Sequence, residues 1–267
     1  SHLTVTAGPR VGQEDMLAIW PSFYPSDAIL DVLTLNGAPA AYNKNLGAGA
    51  GIRWDAPTGF RLAANYVAAN GSRSSTSEGG IATKHAGSTG TVQIGYAREE
   101  WTLAAIYTAI QNGDDLITYA SPFTQASLSN KGMTHAFGLG GSWQVLDEHW
   151  IPSISAGWGI NVSDASHNGD VQTTQSWTAG LEWDNIFMEG TSVGIAVGQP
   201  VFATDLKGDE TPNDGQFIWE AWLQVNVTDA ITVTPALFYL SRPLGQDTPR
   251  GETFQQLGGL AKITFNF

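Results

Sequence analysis

Charge, cysteine and long apolar runs are all scarce in this 267-residue sequence, and each shortage closes off a class of protein. Asp, Glu, Lys and Arg together make up 14% of the residues, against roughly 25% in soluble domains. The few charges are lopsided, 12 Lys plus Arg against 25 Asp plus Glu. Neutralising a phosphate backbone needs clustered cations, and none cluster here, which excludes nucleic acid as a partner. The absence of Cys removes disulfide frameworks, thiolate zinc sites and cysteine nucleophiles together. No stretch approaches the ~18–20 apolar residues of a transmembrane helix; Ile106 to Ile110 and Ile195 to Val201 are typical of the longest runs. Ser1 to Thr6 alternates in polarity where a signal peptide would be basic and then apolar, so the chain reads as processed, truncated or cytosolic. No linker divides it, and 1–267 reads as a single domain.

What is abundant is glycine, 31 residues, tryptophan, 10 residues, and alternation at a period of two, the mark of a strand with two unlike faces. At the C-terminus Ala261, Ile263, Phe265 and Phe267 share one face and Lys262, Thr264 and Asn266 the other. Similar segments run from Leu3 to Pro9, Leu46 to Trp54, Phe60 to Ala69, Thr91 to Ala97, Trp101 to Ile110, Gly132 to Trp143, Trp150 to Ile160, Ser176 to Trp183, Ser192 to Gln199, Gln216 to Val227 and Ile231 to Leu240. These make about twelve strands, each near the ~9–11 residues of a tilted membrane-spanning strand. Their connections alternate. Residues 55–59, 98–100, 144–149, 184–191 and 228–230 are short, while 10–45, 70–90, 111–131, 161–175, 200–215 and 241–252 are long. An up-and-down meander puts all the short turns at one end and all the long loops at the other, the asymmetry of an outer-membrane barrel.

The faces agree. Phe217, Trp219, Ala221, Leu223 and Val225 oppose Glu220, Gln224 and Asn226, and Trp54, Trp101, Trp143, Trp150, Trp158, Trp177 and Trp183 fall near strand ends on the apolar face, as interfacial girdles require. The expected fold is all-β: a transmembrane antiparallel up-and-down β-barrel of about twelve strands in a lipid bilayer. Its first loop, 10–45, is too long and too apolar for a floppy tip. Helix-like pieces with Ser26 as N-cap and Asp27 in the first turn mark it, and it is expected to fold into the lumen and narrow it. An exterior cap or a partner-contacting loop is the other placement.

Alternation turns Arg53, Arg61, Asn65, Gln93, Glu182, Glu220, Gln224 and Lys262 inward, and the first loop offers Arg10, Glu14, Asp15, Asp31 and Lys44. Opposed charges across a narrow lumen set a transverse field that tunes ion preference, and the acidic balance favours cations. Asp205, Asp209, Glu210 and Asp214 lack the spacing of a calcium loop and read as a solvated loop; no metal and no cofactor is expected. Trp222 and Phe238 read as packing against the loop. His135, in the strand from Met133, has no Gly-x-Ser-x-Gly elbow beside it, and His2, His85, His149 and His167 show no paired spacing, so neither catalysis nor metal binding is expected. A diffusion channel and a non-conducting outer-membrane barrel with a structural, adhesive or hydrolytic task both remain open on the residues, with a soluble β-rich binding protein as a third reading.

Particular segments narrow this. Gly8-Pro9-Arg10, Gln13 to Ala18, Trp20-Pro21, Tyr24-Pro25, Gly37 to Tyr42 and Asn45 to Gly51 resemble the cyanobacterial outer-membrane porins, which are related to the carbohydrate-selective porins. The resemblance extends over the whole chain. It implies a homotrimer in the outer membrane, in contact with lipopolysaccharide, with a loop-narrowed lumen passing inorganic ions and small hydrophilic solutes, and a proposed link to iron uptake. It also makes Phe265 and Phe267 the C-terminal signal read by the barrel-assembly machinery. Family members carry an N-terminal surface-layer-homology domain that grips peptidoglycan, a coiled-coil spacer and a barrel of about sixteen strands. These residues contain no such domain, so peptidoglycan is not their partner, and the chain is either a fragment that lost strands or a smaller barrel.

Overall fold

Period-two alternation gives a strand one wet and one greasy face, and this chain forms twelve of them. The computed structural model describes all residues except 25–28, 74, 114–115, 118, 129–131, 146–149, 209–210 and 266–267. The strands are β1 (His2–Gly12), β2 (Leu46–Asp55), β3 (Phe60–Ala68), β4 (Ser88–Ala97), β5 (Trp101–Gln111), β6 (Met133–Trp143), β7 (Ser153–Ser163), β8 (Val171–Asp184), β9 (Thr191–Leu206), β10 (Phe217–Thr228), β11 (Ile231–Ser241) and β12 (Gln255–Phe265). Each pairs with the next in one sheet, β1 through β12 in sequence order, and every pairing is antiparallel. No pairing joins β12 to β1 among the described residues. The N-cap expected at Ser26 and Asp27, together with His149, Asp209, Glu210 and Phe267, lies outside the described residues.

Register keeps each face coherent across the sheet. Trp54 pairs with Leu62, Leu62 with Ile94 and Ile94 with Ala105 on one side. On the other, Arg53 pairs with Ala63, Ala63 with Gln93 and Gln93 with Ile106. The first face leaves Leu3, Ile52, Val92, Leu103, Leu139 and Leu237 exposed, whereas Gln93, Thr108, Ser176 and Glu220 on the second are buried. A protein meant for water would have this the other way round. An apolar exterior around a polar interior is the arrangement of an outer-membrane barrel, and the sheet satisfies its backbone polar groups strand to strand, as lipid demands.

Two expectations about the connections change. The alternation of short and long holds at most joints, but β7 and β8 are joined only by 164–170, no longer than the 144–152 turn on the opposite end. β8 and β9 extend well beyond 176–183 and 192–199 because Pro200 does not stop β9. The register shifts between Gln175 and Trp177, which pair with Phe202 and Gln199, so Pro200 falls in a bulge where no ladder N–H is needed. A short helix, α1 (Pro122–Leu128), also sits in the loop after β5, where none was expected.

The tryptophans divide into two sets. Trp101 stacks on Trp143, and Phe60 meets Tyr96 edge-on, at the end of the sheet that carries the short turns. Trp158 and Trp177, expected at strand ends, instead pair with each other in mid-strand. Their indole N–H groups donate to Gln175 at 3.3 Å and Gln199 at 2.7 Å. That answers the objection to a polar group in the middle of an apolar belt.

The segment between β1 and β2 lies against the polar face of the sheet. It includes two 3-10 turns, Glu14–Met16 and Asp31–Thr34, and buries Met16, Leu17, Ile19, Tyr24, Val32, Leu33, Leu35 and Tyr42, each worth about 1.5–3 kcal/mol when withdrawn from water. Its approach to β7 is backbone on backbone. Gly37 has φ +66°, and a Cβ on Gly157 would fall 1.8 Å from the Asn36 carbonyl oxygen. Gly157→Ala is therefore expected to lower stability by about 1–3 kcal/mol through overpacking, seen as an earlier thermal unfolding transition in detergent.

Candidate functional site

Which inward side chains meet water depends on where the inserted segment lands. Its two ends meet, the Gln13 N–H donating to the Asn45 carbonyl at 2.8 Å. At this neck the Gln13 side chain donates to the Ala41 carbonyl at 2.8 Å and to Thr91 Oγ1 at 2.9 Å, and accepts from the Lys44 N–H at 3.0 Å. Asn45 donates to the Val67 carbonyl at 3.1 Å and to Thr89 Oγ1 at 3.2 Å. Further in, Gln93 of β4 imitates a strand: its oxygen accepts from the Ala18 and Ile19 N–H groups at 3.0 and 3.1 Å, and its Nε2 donates to the Ile19 carbonyl at 2.8 Å. Ser155 accepts from the Phe23 N–H at 2.9 Å, and Ser176 donates to the Gly37 carbonyl at 2.8 Å.

The far anchor is on β10. Glu220, none of it exposed, accepts from the Tyr24 hydroxyl at 2.7 Å and from the Leu30 N–H at 2.6 Å. The Trp222 indole donates to the Tyr24 oxygen at 2.9 Å, with the two rings 6.2 Å apart. One segment thus touches β3, through Asn45 and Val67, and β10, through Glu220, which requires the sheet to wrap around it. Trp222 packs on the loop, as expected. Glu220 does not line open space: it is an anchor beneath the segment.

The other expected lining residues form two charged groups. Lys44 Nζ lies 3.8 Å from Glu14 and 3.9 Å from Asp31, all three side chains partly exposed, and 5.9 Å from the centre of the Trp20 ring. The Tyr119 hydroxyl, from the loop after β5, donates to Asp31. Arg53 and Arg61 share Asp55 at 2.9 and 3.5 Å, near the short-turn end of β2 and β3. Asp15 is turned to structure, accepting from the Gly12 N–H at 3.3 Å. Arg10 is exposed, and Glu182 and Lys262 are half-buried on the polar faces of β8 and β12. Phe265 is exposed on the apolar face.

One sequence reading is corrected. Asp214 is not a solvated loop residue but fully buried. One of its oxygens accepts from Ser121, Thr124 and the Ala203 N–H at 2.8, 2.8 and 2.7 Å, and the other from the Gln246 N–H at 3.0 Å, clasping three long loops together. His135 lies on the apolar face, its Nδ1 2.7 Å from the Tyr107 hydroxyl. Gln13, Asn45, Tyr24 and Asp214 carry the site's architecture without standing out in sequence. The only available signal was polar residues placed among apolar ones in a loop expected to pack inside.

Burial first, and then the charge and hydrogen bond of Glu220, push the Tyr24 phenol well above its ordinary value of 10.0. Burial first, and then Asp31, push Tyr119 up to about 12. The docked segment therefore keeps protons that a released segment would lose. Docking is at full strength below pH 10 and weakens as pH rises through it, with Tyr119's share gone by about pH 12 and Tyr24's declining beyond. Proteolysis within the segment is expected to accelerate above pH 10 and to slow again on return to neutrality.

Fold and site together define the class, a twelve-stranded up-and-down sheet of the outer-membrane barrel kind wrapped around an inserted segment. Solved structures share the fold. The high-pH structure of Pseudomonas putida OprB is 17% identical, with a TM-score of 0.63 over 99% of this chain and 70% of that one. Outer-membrane expressed OmpT of Vibrio cholerae is 7% identical, with a TM-score of 0.60 over 98% of this chain and 77% of that one. No protein-family model matches the sequence, and no curated protein does.

Proposed function

We propose that the chain is an outer-membrane porin, a passive diffusion channel for inorganic ions and small hydrophilic solutes, narrowed by the segment 10–45. The observation that carries this reading is the inserted segment itself. It is hydrogen-bonded to the wall from the Val67 carbonyl of β3 to the Glu220 side chain of β10 while Glu14, Asp31 and Lys44 stay partly exposed, so a water-filled path past it would meet fixed charges. The acidic balance of the chain, 25 Asp plus Glu against 12 Lys plus Arg, favours cations. The resemblance to cyanobacterial porins adds a homotrimer in a Gram-negative outer membrane, contact with lipopolysaccharide, and Phe265 and Phe267 as the assembly signal. The deciding experiment is conductance of the purified protein in a planar bilayer: discrete ohmic steps support a channel, and a silent but folded and inserted protein overturns it in favour of a structural barrel.

A further inference from the structure

The apolar face carries a trough. Its floor is the row that runs from Phe60 of β3 through Tyr96, Leu103, Gly141 and Ala156 to Ala179 of β8, each residue pairing with the next. Side chains shrink along this row after Leu103, so the surface sinks beside the neighbouring row of Leu139, Trp158 and Trp177. The recess holds about 750 Å³, a volume typical of small-molecule sites. Six strands at a spacing of about 4.8 Å make it about 24 Å long, more than half of the ~30 Å hydrocarbon core of a bilayer. It also climbs. Phe60 opens β3 and Tyr96 is one residue from the end of β4, whereas Ala179 is five residues from the end of β8. The trough therefore starts at the short-turn end and rises into the middle of the apolar belt. There the Trp158 and Trp177 indole N–H groups are taken by Gln175 and Gln199, so this wall offers hydrocarbon and no indole donor in need of a partner.

The lower end of the trough has a charge. The short turns 56–59, 98–100, 144–152, 185–190 and 229–230 hold six Asp and Glu between them but a single Lys or Arg, Arg98. Arg98 Nε donates to the Tyr96 hydroxyl at 2.9 Å, the guanidinium carbon is 5.7 Å from the centre of the Tyr96 ring, and the side chain is exposed. Tyr96 lines the trough, so the one cation of this end stands at its mouth, with Glu99 and Glu100 following it in the turn. A guanidinium is the fork that suits a phosphate, and the acidic turns around it repel anionic headgroups from the rest of this rim. We infer that the trough binds one glycerolipid of the leaflet at the short-turn end, its anionic phosphate headgroup on Arg98 and an acyl chain laid along the floor towards Trp158 and Trp177. This goes beyond the channel reading and rests only on the apolar face meeting lipid, so it stands or falls without conduction.

The probe is phosphatidylglycerol added to the purified, folded protein in detergent, with retained lipid counted by native mass spectrometry and phosphatidylcholine as the zwitterionic comparison. One phosphatidylglycerol per chain is expected to persist under conditions that strip phosphatidylcholine. Arg98→Gln should weaken its retention by about fivefold, the worth of one cation at an anionic lipid surface, and leave phosphatidylcholine unchanged. Ala156→Phe fills the floor of the trough and should abolish retention of phosphatidylglycerol; Ala179→Leu, a milder filling, serves in its place if Ala156→Phe does not fold. Ala221→Phe, on the apolar face of β10 where Ala221 pairs with Ile195, lies outside the trough and should retain the lipid. Equal retention of the two lipids, retention unchanged in Arg98→Gln or in the filled variants, or loss in Ala221→Phe overturns the site. So does an oligomer that Ala156→Phe splits into single chains, since the face would then belong to a second copy.

Discussion

Excision of residues 14–43, with a short Gly-Ser link between Gln13 and Lys44, is expected to raise single-channel conductance severalfold. The surgery is geometrically mild, because the Gln13 N–H already donates to the Asn45 carbonyl at 2.8 Å and the flanking strands are paired from Gly12 to Leu46. The inner wall it uncovers is largely hydroxyl and amide, with Thr91, Gln93, Thr108 and Ser176 free to trade the segment's hydrogen bonds for water. Ile106, Ile110 and Val67 would also be wetted, at about 25 cal/mol for each Å² uncovered. The sheet should therefore persist at reduced stability. Conductance unchanged from the intact chain would show that the segment does not obstruct the path.

Glu220→Ala is expected to release the segment without removing it. It strands the Tyr24 hydroxyl and the Leu30 N–H, both now satisfied by one buried carboxylate. Each buried donor left unpaired costs about 1–3 kcal/mol, so docking should weaken by roughly 2–6 kcal/mol if the two costs add. Recordings should show frequent excursions to a larger conductance level, and proteolysis within 14–43 should accelerate while the strands stay protected. Tyr24→Phe removes one donor and leaves Leu30 paired, so its effect should be smaller. The double variant should fall short of the sum, because the two residues share a bond. Quiet recordings and unchanged proteolysis in Glu220→Ala would show that the anchor lies elsewhere, with Gln93 and Gln13 the next to test.

The strands and their two faces were legible because period two is a local property: each of Trp54, Leu62 and Ile94 announces its side within a few residues. The bulge at Pro200 was not, because a proline reads as a stop unless the partner strand is known to skip a residue there. The lining set fared unevenly for a related reason. Alternation correctly turned Glu220 inward but said nothing about whether water or protein would meet it, and that depends on Tyr24, 196 residues away. Asp214 shows the same limit, since four donors from two other loops and from β9 converge on a residue that in sequence sits in an acidic, polar run. Lys44, Glu14 and Asp31 were found because all three lie in the one loop singled out by its length, whereas Tyr119 came from another loop and carried no mark.

The neighbour-by-neighbour order of the sheet has a consequence for the timing of assembly. Every strand pairing joins elements adjacent in the chain, so hairpins can form as the chain is delivered, with little entropy lost to closing long loops. The contacts of the inserted segment are the exceptions, and the one between Tyr24 and Glu220 closes a circuit of 196 residues. Until β10 is in place, the first long connection has no seat for Tyr24, Ile29 and Leu30, and its apolar side chains must wait. The first long connection is made early and finished late, so the seating of Tyr24 reports that the sheet has been built as far as β10.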